Sequence, residues 1–174
     1  MRWSCANAAL LAAAVGCGGA ATFDGRAYRS GALAFDVGSV PADWRRIELE
    51  GAALAFRDDA HDASIVVSGR CGLRVDDTPL EALTNHLLIG TTERAYEREE
   101  TRPFDGREAR FTTVLAKLDG VPMRYDVVVL KKDGCVYDFV YVAPPAPKGD
   151  ASDAAGRAAF AGFVGAFHTA GARP

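Results

Sequence analysis

Three Asp-Gly pairs, Asp105-Gly106, Asp119-Gly120 and Asp133-Gly134, fall fourteen residues apart and constrain this chain more than any other feature. Both central positions of a type I′ turn need positive φ, which Gly adopts freely and Asp tolerates, so Asp-Gly is a strong tight-turn dipeptide. The flanking segments, Glu93 to Arg102, Arg107 to Leu118, Val121 to Lys131 and Cys135 to Val142, have strand character. Strands joined by two-residue turns run antiparallel, so this half of the chain is predicted to be a four-stranded meander. The even spacing follows strand length; the segments themselves do not repeat.

Side-chain alternation places these strands in a sheet. Cys135, Tyr137, Phe139 and Tyr141 share one face of the last strand, and Val136, Val140 and Val142 share the other with Asp138. A strand apolar on both faces belongs at the centre of a sheet covered on two sides. The segment from Glu93 to Arg102 instead carries charge on both faces, the composition of an edge strand protected against pairing with another molecule.

Upstream, Tyr28-Arg29-Ser30 and Leu33 to Val37 read as a hairpin around Gly31, and Arg45 to Glu50, Leu54 to Arg57 and Ser64 to Ser68 read as further short strands. A helix follows, with Thr78 as N-cap, Pro79 at the first helical position, Glu81 completing a capping box and Gly90 as its stop. Its buried stripe is Leu80, Leu83, Leu87 and Leu88. A second helix carries Phe160, Phe163, Val164 and Phe167 at i, i+3, i+4 and i+7, a single face meant for the core. The Pro144-to-Gly149 segment gives it reach to fold back over the sheet. Two main helices and a central antiparallel sheet apolar on both faces imply an α+β fold, an α/β/α three-layer sandwich.

The N-terminus has the plan of a signal peptide: Arg2 as a short positive region, an apolar stretch from Ala8 to Val15, and the small Gly16. That stretch is shorter than the roughly 20 residues that span a bilayer. Ala14-Val15-Gly16-Cys17 resembles the lipobox of bacterial lipoproteins, in which the cysteine is acylated and becomes the first residue; the alternative is an ordinary secretory signal. The expected organisation is a signal peptide over residues 1–16, lipidated Cys17 with a flexible tether over 17–27, and one domain over 28–174. Acyl chains add about 0.8 kcal/mol per buried CH₂, so two or three would hold the domain to a membrane without spanning it. In the lipoproteins this resembles, aspartate after the cysteine favours the inner membrane. Gly18 stands there, so the expectation is an outer-membrane lipoprotein facing the periplasm, with the inner membrane as the alternative.

Cleavage leaves 158 residues, one domain by length, with 19 basic against 23 acidic residues once Arg2 is gone and a formal charge of −4. Mild acidity without a Lys/Arg run argues against nucleic acid as a partner. The domain keeps two cysteines, Cys71 and Cys135. In an oxidising compartment they form one disulfide, or they are two buried thiols, or Cys71, flanked by Arg70 and Arg74, is a reactive thiol.

Motifs for chemistry are sparse. The chain has no Gly-x-Ser-x-Gly elbow, phosphate-cradling Gly-rich loop or paired-histidine metal motif, and no cofactor or metal is expected. His61, in Asp58-Asp59-Ala60-His61-Asp62, reads as part of a polar turn rather than a weak cation chelate. His86 lies on the first helix and His168 at the end of the last, where a cation suits the helix dipole. A thiol enzyme would need Cys71 beside His86 or His61. The remaining enzyme or carrier alternative is a small hydrolase or ligand carrier with a pocket between sheet and helices near Trp44, Tyr137 and Tyr141, residues that equally serve as core.

The order of elements resembles the PsbP/DcrB-like family. The likeness rests on Leu33-Ala34-Phe35-Asp36-Val37 leading to Pro41 and Trp44, Leu54-Ala55-Phe56 before Ile65-Val66-Val67, the Pro79-Leu80 helix, and Cys135-Val136-Tyr137-Asp138-Phe139 before the helix of Phe160, Phe163 and Phe167. All are packing and turn residues. The resemblance implies an antiparallel sheet between helices and a binding or accessory role, with no catalytic set to carry over. Together with the tether and the absence of a catalytic constellation, the expectation is a non-enzymatic accessory or protein-binding role with an envelope protein as partner.

Overall fold

Both residues of the three evenly spaced Asp-Gly pairs adopt positive φ: 46° and 74° at Asp105-Gly106, 50° and 82° at Asp119-Gly120, 52° and 71° at Asp133-Gly134. The computed structural model describes residues 20–72, 77–147 and 151–170. In chain order they form β1 (Thr22–Phe23), β2 (Ala27–Ser30), β3 (Leu33–Asp36), β4 (Arg45–Arg46), β5 (Leu54–Asp58), β6 (Ala63–Cys71), α1 (Leu80–Leu87), β7 (Thr91–Phe104), β8 (Arg107–Leu118), β9 (Val121–Lys132), β10 (Cys135–Ala143), α2 (Ala151–Gly165) and β11 (His168–Thr169). The signal peptide and Cys17 lie outside the described residues.

The meander forms as expected. Strands β7 to β10 are consecutive neighbours in an antiparallel seven-stranded sheet of order β4-β5-β6-β10-β9-β8-β7. The charged β7 is an edge and β10 is central. After β6 the chain crosses one face through α1 to the far edge and returns strand by strand, until β10 pairs with β6 in the register Phe139↔Val67 and Cys135↔Cys71.

Each face of this sheet has its own core. Leu83, Leu88, Val114, Tyr125, Val127, Val129 and Val136 pack together under α1. On the opposite face Phe56, Ile65, Val67, Tyr137, Phe139 and Tyr141 meet Phe160, Phe163, Val164 and Phe167. Phe163 is fully buried and meets Phe56 edge-on at 5.7 Å, and Phe139 meets Phe167 edge-on at 5.0 Å. Burying such a side chain contributes about 1.5–3 kcal/mol, so this aromatic seam is what seats α2.

Four local expectations are corrected. The helix α1 starts at Leu80 with Pro79 as its cap, because Pro79 is extended (φ −59°, ψ 147°) and its carbonyl accepts the first bond from Leu83 N. No side chain caps it; the carbonyl of Thr78 accepts from Lys131 Nζ instead. The strand expected from Arg45 to Glu50 is confined to Arg45–Arg46. His168 is not helical: α2 ends at Gly165, and His168-Thr169 pair with Asp36 and Phe35 of β3. That pairing completes a second, four-stranded sheet of order β1-β2-β3-β11, which shares the face with α2. The fold is α+β, with α1, the large sheet, and α2 beside the small sheet as three layers.

Candidate functional site

Sheet register explains a cleft with mixed chemistry beside α2. Side chains directly opposite on adjacent strands share a face. Arg98 pairs with Thr113 and Thr113 with Asp126; one rung along, Glu100 pairs with Phe111 and Phe111 with Val128. Arg102 and Phe104 follow on β7, on the same face. Helix α2 lies over β10, leaving Arg98, Glu100 and Arg102 of β7 partly exposed across from its Arg157, Phe160, Ala161 and Val164, with Phe111, Thr113 and Val128 buried at the base between them.

The result is a cleft of about 370 Å³. Phe111 and Val128 form the floor, and one end is closed by Phe104 stacked on Phe167 at 5.8 Å. The other end is polar: Thr113 Oγ1 donates to Asp126 Oδ1 at 2.5 Å, and Asp126 Oδ2 faces Arg157 Nε at 3.3 Å and Arg124 Nε at 3.6 Å. Along the β7 wall the Arg102 guanidinium lies 3.8 Å from the centroid of the Phe111 ring, a cation–π contact that fixes its position. Arg98 and Arg102 both reach Glu100 Oε1, Arg102 through Nε at 3.0 Å. Three guanidiniums therefore line one apolar trough.

The residues singled out from sequence lie elsewhere. Trp44, Tyr137 and Tyr141 do not line this cleft; they are buried, with Trp44 against Tyr141 at 6.5 Å, and serve as core. Cys71 and Cys135 form a disulfide, which resolves the three alternatives and leaves Cys71 no thiolate for nucleophilic chemistry. His61 belongs to a turn: its Nδ1 lies 2.7 Å from Asp58 Oδ2, while Ala60 N and His61 N donate to Asp58 Oδ1. Burial pushes the Asp58 carboxyl up, but the His61 and backbone hydrogen bonds outweigh it and hold it below the ordinary value. His168 Nε2 pairs with Asp36 at 3.1 Å. Among the described residues no three His, Cys, Asp or Glu side chains converge on a metal position. None of their helices is long and apolar enough to cross a membrane.

Sequence reasoning missed the cleft because Arg98, Glu100 and Arg102 lie within a charge run that reads as a solvated edge. The available signal was their alternation, i, i+2, i+4, leading into Phe104.

No protein-family model matches the sequence, and no curated protein does so either. Solved structures do match. PsbP of the cyanobacterium Synechocystis sp. PCC 6803 shares 16% identity over 78% of this chain and 86% of that chain, with a TM-score of 0.55. A mutant of the protein Mog1 shares 16% identity over 76% of this chain and 89% of that chain, with a TM-score of 0.54. LpqN of Mycobacterium tuberculosis, described as involved in cell envelope biogenesis, shares 16% identity over 77% of this chain and 83% of that chain, with a TM-score of 0.51. The chain has a PsbP-like fold. Likeness at this identity is one of architecture, and it agrees with the resemblance read from the packing residues.

Proposed function

We propose that the mature chain is a membrane-anchored periplasmic lipoprotein whose PsbP-like domain has a non-enzymatic accessory role, binding an envelope protein. The observation that carries the proposal is the placement of Ala14-Val15-Gly16-Cys17 directly ahead of this fold, with the first strand beginning at Thr22. Acylation at Cys17 would leave five residues before β1, at most about 18 Å of chain. The domain would ride against the leaflet, the outer membrane being favoured by Gly18. The architectural likeness to LpqN, itself described as involved in cell envelope biogenesis, supports an envelope-related role.

Intact-mass analysis of the mature N-terminus tests the anchor: acylated Cys17 is the expected first residue, and Cys17→Ala is expected to abolish palmitate labelling and release the chain from membranes. Labelling that survives this substitution, or an N-terminus elsewhere, ends the lipoprotein reading. Crosslinking in intact cells tests the accessory role separately, through reproducible recovery of one envelope protein; its absence would remove that role.

A further inference from the structure

We propose that the cleft beside α2 binds a small amphipathic anion, its carboxylate, phosphate or sulfonate held by Arg98 and Arg102 and its apolar body lying against Ala161 and Phe160 of α2. The proposal does not depend on the lipid anchor.

The cleft is of ligand size, since small-molecule sites run from about 300 Å³ upward and are mostly apolar with a few placed polar groups. The geometry to hold an anion is already on display. Arg98 and Arg102 stand two residues either side of Glu100 on one face of β7, and both guanidiniums converge on its Oε1. A carboxylate thus sits where the ligand's would, and it is a replaceable one, because the Glu100 side chain is 36% exposed at the rim. The stack on Phe111 fixes the Arg102 guanidinium at the mouth of the cleft, so a head group reaching it lays the rest of the molecule along the trough toward Ala161 and Phe160 of α2.

The orientation is set by Asp126. At the opposite side of the cleft the Arg157 and Arg124 guanidiniums are already matched by the Asp126 carboxylate, which is only 14% exposed and is held by Thr113 as well, so it is harder to displace than Glu100. The anion therefore belongs on the β7 wall. Ala161, exposed on α2, faces the space the body would occupy.

The test uses the full chain carrying Cys17→Ala, so that no acyl chain competes, and two fluorescent probes that share one aromatic body: 8-anilinonaphthalene-1-sulfonate and the neutral N-phenyl-1-naphthylamine. The expected result is one saturable site that binds the sulfonate at least tenfold more tightly than the neutral probe. Arg98→Ala with Arg102→Ala should weaken the sulfonate about tenfold and leave the neutral probe unchanged. Glu100→Gln, which removes the internal competitor, should tighten the sulfonate, and Ala161→Trp, a change at an exposed helical position, should abolish both. Equal affinity for the two probes, or a sulfonate affinity untouched by the double variant, overturns the anion assignment. Undiminished binding in Ala161→Trp overturns the cleft. Because both arginines are half exposed, circular dichroism is expected to show the double variant folded; if it is not, Glu100→Gln and Ala161→Trp decide the matter between them.

Discussion

Arg70 Nη1 donates to Asp138 Oδ2 at 2.5 Å, from a half-exposed guanidinium on β6 to a carboxylate on the central strand whose exposure is 1%. Asp138 is the polar member of the otherwise valine-lined face of β10. Burial pushes its carboxyl above the ordinary value, and the Arg70 charge and hydrogen bond oppose that rise without cancelling it.

A pH dependence follows, and its sign is fixed. An unfolded Asp titrates at about 3.9, whereas the folded Asp138 keeps its proton to higher pH. Between the two values the native state binds more protons than the unfolded one, so Asp138 makes stability fall as pH rises through that window. Asp138→Asn should remove this component. Urea midpoints measured from pH 4 to 8 should decline less steeply in the variant; an unchanged slope would show that burial of Asp138 does not govern its titration.

The bridge between Cys71 and Cys135 closes a 64-residue separation and joins directly opposed positions on β6 and β10. In the chain-entropy picture it stabilises by up to about 4 kcal/mol. Replacing both cysteines by Ala should lower the urea midpoint substantially while leaving the far-ultraviolet circular dichroism intact, since Val136 to Val142 keep their β6 partners. A midpoint equal to that of the oxidised protein would mean that the crosslink contributes nothing.

Gly38 lies against the backbone of α2. A Cβ there would stand 2.6 Å from the Gly162 carbonyl oxygen and 2.9 Å from Phe163 Cα, atoms that cannot move aside without moving the helix. Gly38→Ala should cost about 1–3 kcal/mol by overpacking. Gly120, with φ +82° and open space around it, provides the comparison: Gly120→Ala meets only backbone strain of about 1 kcal/mol. Equal losses in thermal denaturation would contradict the close seating of α2.

Phe163 is the anchor of that seating. It is completely buried and packs on Phe56, so Phe163→Ala should cost about 3–5 kcal/mol. A loss below about 1 kcal/mol would show that the helix can close over the vacated space. Phe160→Ala, at the cleft wall, should cost less because a side of its ring faces the trough.

Turn chemistry made the meander legible. Asp-Gly admits few conformations, and alternation between two such turns assigns each side chain to a face before any partner is known. The same local logic placed β7 at the edge and β10 at the centre, and the i, i+3, i+4, i+7 spacing identified the face of α2. Local logic also misled at α1, where Thr78 and Glu81 have capping-box spacing but Pro79 provides the helix's first carbonyl. At the C-terminus it extended α2 through His168, because no local signal distinguishes two further helical residues from two that pair with β3, more than 130 residues earlier in the chain.

What the sequence by itself determined is therefore periodic and short-ranged: strand direction, the buried faces, and the α+β character. The Cys71–Cys135 bond, the Arg70–Asp138 pair and the cleft were decided only by tertiary structure. Each depends on the lateral register between strands distant in sequence, or on where α2 stops covering the sheet. A side chain's alternation says which face it occupies, but only the packed helix decides whether that face is filled or left open.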